Sequence, residues 1–290
     1  MVWDWIIACY LFLAGMGAGA FALAALAAFV KPEAKKLRTI GYLVAPIAVA
    51  VGCLLLMVDA RGGLLNPLRF FHIVTNLQSV MAWGVIILVL FIVVSLAALI
   101  VMLKKQSTPK ALDGIGLVLA LCTAAYTGVL LGAAPGFPLW NPVVLPLLFI
   151  VSATSSGFAI VLLISYARGS DEPAKLGFLK TTGLLFPVLE AALGIILFVV
   201  ASMTSGSGAY AAAASVANML TGSYAPAFWI GFVVIGIAIP LVLEFLHRKS
   251  SATEGGAFNA QAVVGEACVL VGAFMLRYLM IMAAVPIFLQ

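Results

Sequence analysis

Residues 80–105, VMAWGVIILVLFIVVSLAALIVMLKK, decide the fold: an unbroken apolar run closes on the cation pair Lys104 and Lys105. A helix needs about 20 apolar residues to cross the hydrocarbon layer of a bilayer, and this run is long enough. Working outward from it, eight such runs are found, at roughly 5–30, 38–60, 80–103, 113–134, 143–167, 176–202, 224–247 and 263–288. The chain is 65% hydrophobic and only 9% charged, as expected of a protein that crosses a membrane many times.

The gaps between runs differ in charge. Twelve of the fifteen Lys and Arg residues fall in four alternate gaps: Lys31, Lys35, Lys36 and Arg38; Lys104, Lys105 and Lys110; Arg168, Lys175 and Lys180; Arg248 and Lys249. The other gaps hold only Arg61 and Arg69, and Arg277 lies inside a run. The positive-inside rule then places the basic gaps in the cytoplasm, and both termini with segments 61–79, 134–142 and 204–223 outside. An even number of crossings gives the same placement of the termini. The first run opens Trp3-Asp4-Trp5, without a basic leader, and continues past signal length to Lys31, so it reads as a membrane helix with its tryptophans at the interface. The net charge of +5 is accounted for by the cytoplasmic gaps, and no nucleic-acid partner is expected.

Cys9, Cys53, Cys122 and Cys268 all fall within spans and are too dispersed for a Cys-x-x-Cys arrangement. They read as small packing residues, and no iron–sulfur cluster is expected in this chain. The two histidines, His72 in an outer gap and His247 at a cytoplasmic end, do not suit a transmembrane haem pair. There is no phosphate-binding Walker loop and no His-Glu-x-x-His sequence. Gly15, Gly17 and Gly19 lie inside the first span, where small residues permit close helix packing. These exclusions leave chemistry on a lipid-soluble or small polar ligand, without a metal expected in the protein.

The expected fold is all-α, with eight transmembrane helices in two four-helix bundles, 1–135 and 136–290, forming a parallel tandem repeat. Gly114 and Pro135 bracket the fourth span as Gly265 and Pro286 bracket the eighth, with 21 positions between them in each case. Trp83-Gly84 matches Trp229-Ile230-Gly231, Gly41 and Pro46 match Gly183 and Pro187, and Gly19-Ala20-Phe21 matches Ser156-Gly157-Phe158. Aligned on the terminal prolines, Tyr126 corresponds to Arg277.

Ionisable groups within spans are costly and often functional. Arg277, roughly 15 Å below the outer end of its run at 1.5 Å per residue, either lines a polar cavity or proton pathway or makes a structural contact between helices. Glu190, at comparable depth, either relays protons or salt-bridges to Arg277. Glu244 and Glu266 lie near cytoplasmic ends, where they are solvated at the interface or take up protons. Asp113 reads as an ordinary helix-start anion.

On the outer side, Asp59, Arg61, Arg69, His72, Asn76 and Gln78 cluster between the second and third spans. Tyr10 and Tyr126 lie roughly 10–15 Å below the outer ends of their runs. Hydroxyl and amide donors with a His or Asp for proton exchange suit a quinone head. The plainer account is a turn in which Asp59 pairs with Arg61 or Arg69 and the tyrosines pack between helices.

Several stretches resemble one family in order along nearly the whole sequence. They are Tyr10-Leu11-Phe12-Leu13-Ala14-Gly15 with Gly19-Ala20, Asn66-Pro67-Leu68-Arg69-Phe70, Ser79-Val80-Met81-Ala82-Trp83-Gly84, Tyr126-Thr127-Gly128-Val129-Leu130-Leu131, Trp140-Asn141-Pro142 and Leu276-Arg277-Tyr278. Together they are similar to the NrfD-like polysulfide reductase membrane subunits. That resemblance implies a quinone-binding integral subunit in the cytoplasmic (inner) membrane of a bacterium or archaeon. Its implied partners are a ferredoxin-like iron–sulfur subunit on the outer face and, often, a molybdopterin catalytic subunit. It also implies that Tyr126 contacts the quinone. Where family members carry Asn or His in the first helix, this sequence has neither, and Tyr10 is the nearest polar group.

The function expected is therefore exchange of electrons between membrane quinone, menaquinone or ubiquinone, and the iron–sulfur partner. The subunit would act as part of an oxidoreductase complex, with no activity alone. Asp59 and Tyr126 are the catalytic candidates, and Tyr10, Asp59, Arg69, His72, Asn76 and Tyr126 the quinone-binding ones. Glu190, Glu244, Glu266 and Arg277 form the candidate proton pathway. A secondary transporter or a purely structural membrane anchor is the alternative.

Overall fold

A computed structural model describes residues 4–59, 76–250 and 260–287, the side chains of 59, 180 and 247–250 excepted. All regular secondary structure among these residues is helical. Helices α1 (Trp5–Val30), α2 (Lys35–Asp59), α3 (Val80–Lys105), α4 (Lys110–Gly132), α5 (Val144–Ala167) and α6 (Gly177–Ser202) each cover one expected run. A short helix, α7 (Ala209–Leu220), follows. Next comes α8, a π-helical stretch Ala227–Ala238 continuous with Ile239–Ser250, and then α9 (Ala260–Met282). Eight of these helices are long and apolar enough to cross a membrane. Lys31, Lys35, Lys36, Lys104, Lys105, Lys110, Arg168 and Lys175 all lie at or beyond helix ends of one sense, which defines a basic end of the molecule.

The interior is built from the helices richest in small residues. α1 is the most deeply buried span and packs against α2, α4, α5 and α9. Its three glycines each admit a different neighbour. A β-carbon on Gly15 would stand 2.7 Å from Nη2 of Arg277, one on Gly17 2.8 Å from Val49, and one on Gly19 would run into the Ala153 carbonyl. Close-packing glycines were expected here, and the contacts give the reason, since even a methyl group would separate the helices. α5 crosses α1 at Gly157, which lies on the Gly19–Ala20 backbone. α3 is the opposite case: Val89, Leu90, Val93, Leu96, Ile100 and Leu103 are exposed, as lipid-facing side chains must be.

Three expectations need correction. Segment 204–223, read as an outer loop rich in Gly, Ser and Ala, contains α7; its alanines, the strongest helix formers, outweigh the glycines and serines. Ser215 of α7 accepts a 2.8 Å hydrogen bond from the Val285 amide, so this helix holds the segment after α9. Second, α9 stops at Met282 rather than near 288, because Pro286 offers no amide and restricts the residue before it. Arg277 is thus only five residues from its helix end, about 7.5 Å at 1.5 Å per residue. Third, Arg38 is buried rather than a solvated loop cation, donating to the Pro32 carbonyl at 3.0 Å and to the Thr108 hydroxyl at 2.6 Å.

Candidate functional site

At the end opposite the basic one, α1, α2, α3 and α4 bring two tyrosines together. Tyr10 lies five residues into α1 and Tyr126 six residues from the end of α4, depths of about 8–9 Å at 1.5 Å per residue. Both are somewhat shallower than the roughly 10–15 Å expected: α4 ends at Gly132, two residues before its run does, while α1 begins where its run begins, so Tyr10 is only five residues in. Tyr10 is wholly buried and close enough to Tyr126 and Cys53 to interact electrostatically with both. Its hydroxyl has no hydrogen-bond partner among the described residues. Tyr126 lies with its ring and hydroxyl directly on Gly84 of α3, where any β-carbon would collide with it. No hydrogen bond joins the Tyr126 hydroxyl to a described residue.

A buried phenol normally finds a partner, and leaving a hydroxyl unsatisfied costs about 1–3 kcal/mol. The buried Tyr10 hydroxyl, with the Tyr126 phenol beside it, marks a place where an acceptor is wanted. Thr123, three residues before Tyr126 and so on the same face of α4, also buries a hydroxyl without a partner among the described residues. Sequence reasoning passed over Thr123, because a threonine in a helix ordinarily bonds a carbonyl one turn back. It also passed over Gly84 as a site residue, although the Trp83-Gly84 motif carried the signal.

The remaining candidates on this side are placed differently. Asn76 is exposed, and its side-chain oxygen accepts from the Gln78 amide at 3.3 Å, a local turn before α3. Asp59 ends α2, but its side chain, like Arg61, Arg69 and His72, lies outside the described residues.

The second polar constellation centres on Arg277, which is fully buried. Its Nε donates to the Leu11 carbonyl at 3.2 Å, and its Nη1 to the Ser152 hydroxyl at 2.9 Å and the Ala273 carbonyl at 2.8 Å. The guanidinium also lies 5.2 Å from the Phe149 ring centroid, within cation–π range. Nη2 has no partner among the described residues and points at Gly15, whose missing side chain makes the space. Glu190, 3% exposed, faces Ser152, Ser155 and Arg277, and its Oε1 likewise lacks a described partner. Ser152, bonded to the guanidinium, thus also lies beside the carboxyl. Arg277 both ties α1, α5 and α9 together and keeps a spare donor.

Towards the basic end, half-buried Glu244 and Glu266 lie near each other and near Tyr166. The Glu244 carboxylate lies against Gly183, where a β-carbon would stand 3.2 Å from Oε2. Asp113 belongs to a third group. It is buried, accepts from the Tyr42 and Thr108 hydroxyls at 2.6 and 2.7 Å, and through Thr108 meets Arg38. It is a helix-start residue as expected, but its charge is consumed inside the protein.

Eight membrane helices around paired tyrosines and a buried arginine define a polytopic membrane protein with polar sites inside it. The profile of the family described as "Polysulphide reductase, NrfD" matches residues 1–289. The sequence is 34% identical to the C subunit of polysulfide reductase from Wolinella succinogenes, over 98% of its own length and 94% of that protein. It is 30% identical to protein NrfD of Escherichia coli over 98% and 95% of the two proteins. An NrfD homolog of Haemophilus influenzae is 28% identical over 98% of this sequence and 94% of its own length. The protein belongs to the NrfD/polysulfide reductase family of redox-complex membrane subunits.

Proposed function

We propose that this subunit binds quinol or quinone between α1, α2, α3 and α4 and exchanges electrons with an iron–sulfur partner docked over that end. The observation that carries this is the pair of phenols without partners among the described residues. Tyr10 and Tyr126 offer two hydroxyl donors at one place, and a quinone head carries carbonyl acceptors. Oxidation of a quinol releases two electrons and two protons. The electrons pass to the partner, a ferredoxin-like subunit, and from it to a molybdopterin or other catalytic subunit. The protons leave through nearby exchangeable groups, for which Asp59 and His72, with Arg69 as a positioning charge, are the candidates.

The basic end faces the cytoplasm in this reading, so both termini and the quinone site lie on the outer side of the inner membrane. The halves 1–135 and 136–290 are two parallel repeats. Three features support the repeat. Pro46 and Pro187 sit inside α2 and α6, the Trp83 and Trp229 indoles each donate at 3.0 Å to a preceding carbonyl, and α1 and α5 cross at Gly19 and Gly157. The series Glu266, Glu244, Glu190, Ser152 and Arg277 then handles protons in the second half. The experiment is quinol-dependent turnover of the purified complex. Tyr126→Phe lowers it with the subunit still assembled, and unchanged kinetics across quinol concentrations would remove Tyr126 as a ligand.

A further inference from the structure

We propose that a pocket at the basic end binds the phosphate headgroup of an anionic phospholipid. The pocket, of about 200 Å³, lies where the start of α2, the end of α3 and the end of α5 meet, and its lining includes Lys35, Lys36, Thr39, Ile40, Gln106 and Arg168. Three cations from two helix ends face one space, and no carboxylate among the described residues lines it. None of the three side-chain cations is engaged by a hydrogen bond or ion pair among the described residues. The nearby Glu172 is used elsewhere: its two oxygens accept from the Lys36 and Leu37 amides at 3.2 and 2.7 Å and cap α2. Arg38, by contrast, is buried and donates to Pro32 and Thr108.

Concentrated positive charge without a partner calls for an anion, and phosphate oxygens accept from ammonium, guanidinium, hydroxyl and amide donors alike. A second observation separates a lipid from free phosphate. Below the pocket, Ile40, Leu43, Ile47, Val51 and Leu54 recur at helical spacing on one face of α2, and the last four are exposed. Free phosphate would use only the cations, whereas a phospholipid seats its phosphate on them and lays an acyl chain along this stripe. Basic pockets at the ends of membrane helices suit anionic lipids for this reason.

The test is native mass spectrometry of the full-length protein in detergent, titrated with phosphatidylglycerol or with phosphatidylcholine of the same acyl composition. The parent retains phosphatidylglycerol at least about tenfold better. The triple variant Lys35→Gln, Lys36→Gln, Arg168→Gln falls to the phosphatidylcholine level, at about fivefold per surface cation removed. A control triple at Lys31, Lys104 and Lys110, cations of the same end outside the pocket, keeps the preference. If the pocket triple loses its fold, Arg168→Gln alone, at an exposed position, carries the comparison. Equal retention of both lipids by the parent, or equal loss in both triples, overturns the proposal. Displacement of phosphatidylglycerol by excess inorganic phosphate would assign the pocket to the free anion and overturn it as well.

Discussion

Ser152 accepts a 2.9 Å hydrogen bond from Nη1 of Arg277 and also faces Glu190, so a buried cation on α9 and a buried carboxyl on α6 flank a single hydroxyl of α5. Removing one member of such a set strands the other in a medium that cannot solvate it. Arg277→Leu is therefore expected to destabilise the subunit by about 3–5 kcal/mol, the usual cost of breaking a buried charge pair from one side. The double change with Glu190→Leu should be milder, since it removes the stranded carboxyl. Thermal unfolding in detergent decides it, and a double variant less stable than Arg277→Leu would contradict the coupling.

Glu190→Gln keeps size and polarity while removing the proton-exchanging group. Quinol turnover normalised to assembled complex should fall, with quinone affinity nearly intact. Specific activity equal to the parent at every pH tested would leave Glu190 a structural residue.

For the tyrosines, stability and activity should part company. Neither hydroxyl bonds a described residue, so Tyr10→Phe and Tyr126→Phe should leave the melting temperature unchanged or slightly raised. Loss of a neutral hydrogen bond to the quinone costs roughly 0.5–1.5 kcal/mol, a several-fold fall in quinol-dependent turnover. A drop in stability with activity per folded complex preserved would instead mean that these rings only pack.

Gly84→Ala tests the positioning of Tyr126. The added methyl meets the Tyr126 ring and must displace it, an overpacking cost of about 1–3 kcal/mol. Turnover should fall at least as far as in Tyr126→Phe, because the hydroxyl moves as well as the ring. An active, fully stable Gly84→Ala protein would show that the ring's position on α3 is unimportant.

How much of this was legible in the sequence follows from what each signal depends on. The eight spans were readable because hydropathy is a sum over many residues, and errors at a few positions do not alter it. Helix α7 was not readable as such, since its amphipathic face, Ala211, Ala212, Ser215 and Met219, matters only once the segment after α9 reaches Ser215. Arg277, Glu190, Tyr10 and Tyr126 stood out as polar groups in apolar runs. Their partners did not, because a serine such as Ser152 or a glycine such as Gly84 or Gly15 has no distinguishing pattern along the sequence; it acquires its role from the helix opposite. The basic gaps gave the right group of helix ends but hid the burial of Arg38 and Asp113, which a charge count treats like any solvated residue.

Topology is open to cysteine labelling in intact cells after replacement of the four native cysteines. A cysteine at position 105 should resist an impermeant reagent, and one at position 207, beyond α6, should react. The reverse pattern would invert the membrane orientation and move the quinone site to the cytoplasmic side.

Photolabelling of the purified complex with a quinone carrying a photoreactive group on its head, followed by mapping of the modified peptides, locates the quinone head in the protein. The label is expected on the segments around Tyr10, Gly84 and Thr123–Tyr126, to diminish with excess native quinol, and to weaken in Tyr126→Phe. Label confined to the helices around Glu190 and Arg277, with none near the two tyrosines, would place quinone chemistry in the second half of the protein and rule out a site at Tyr10 and Tyr126.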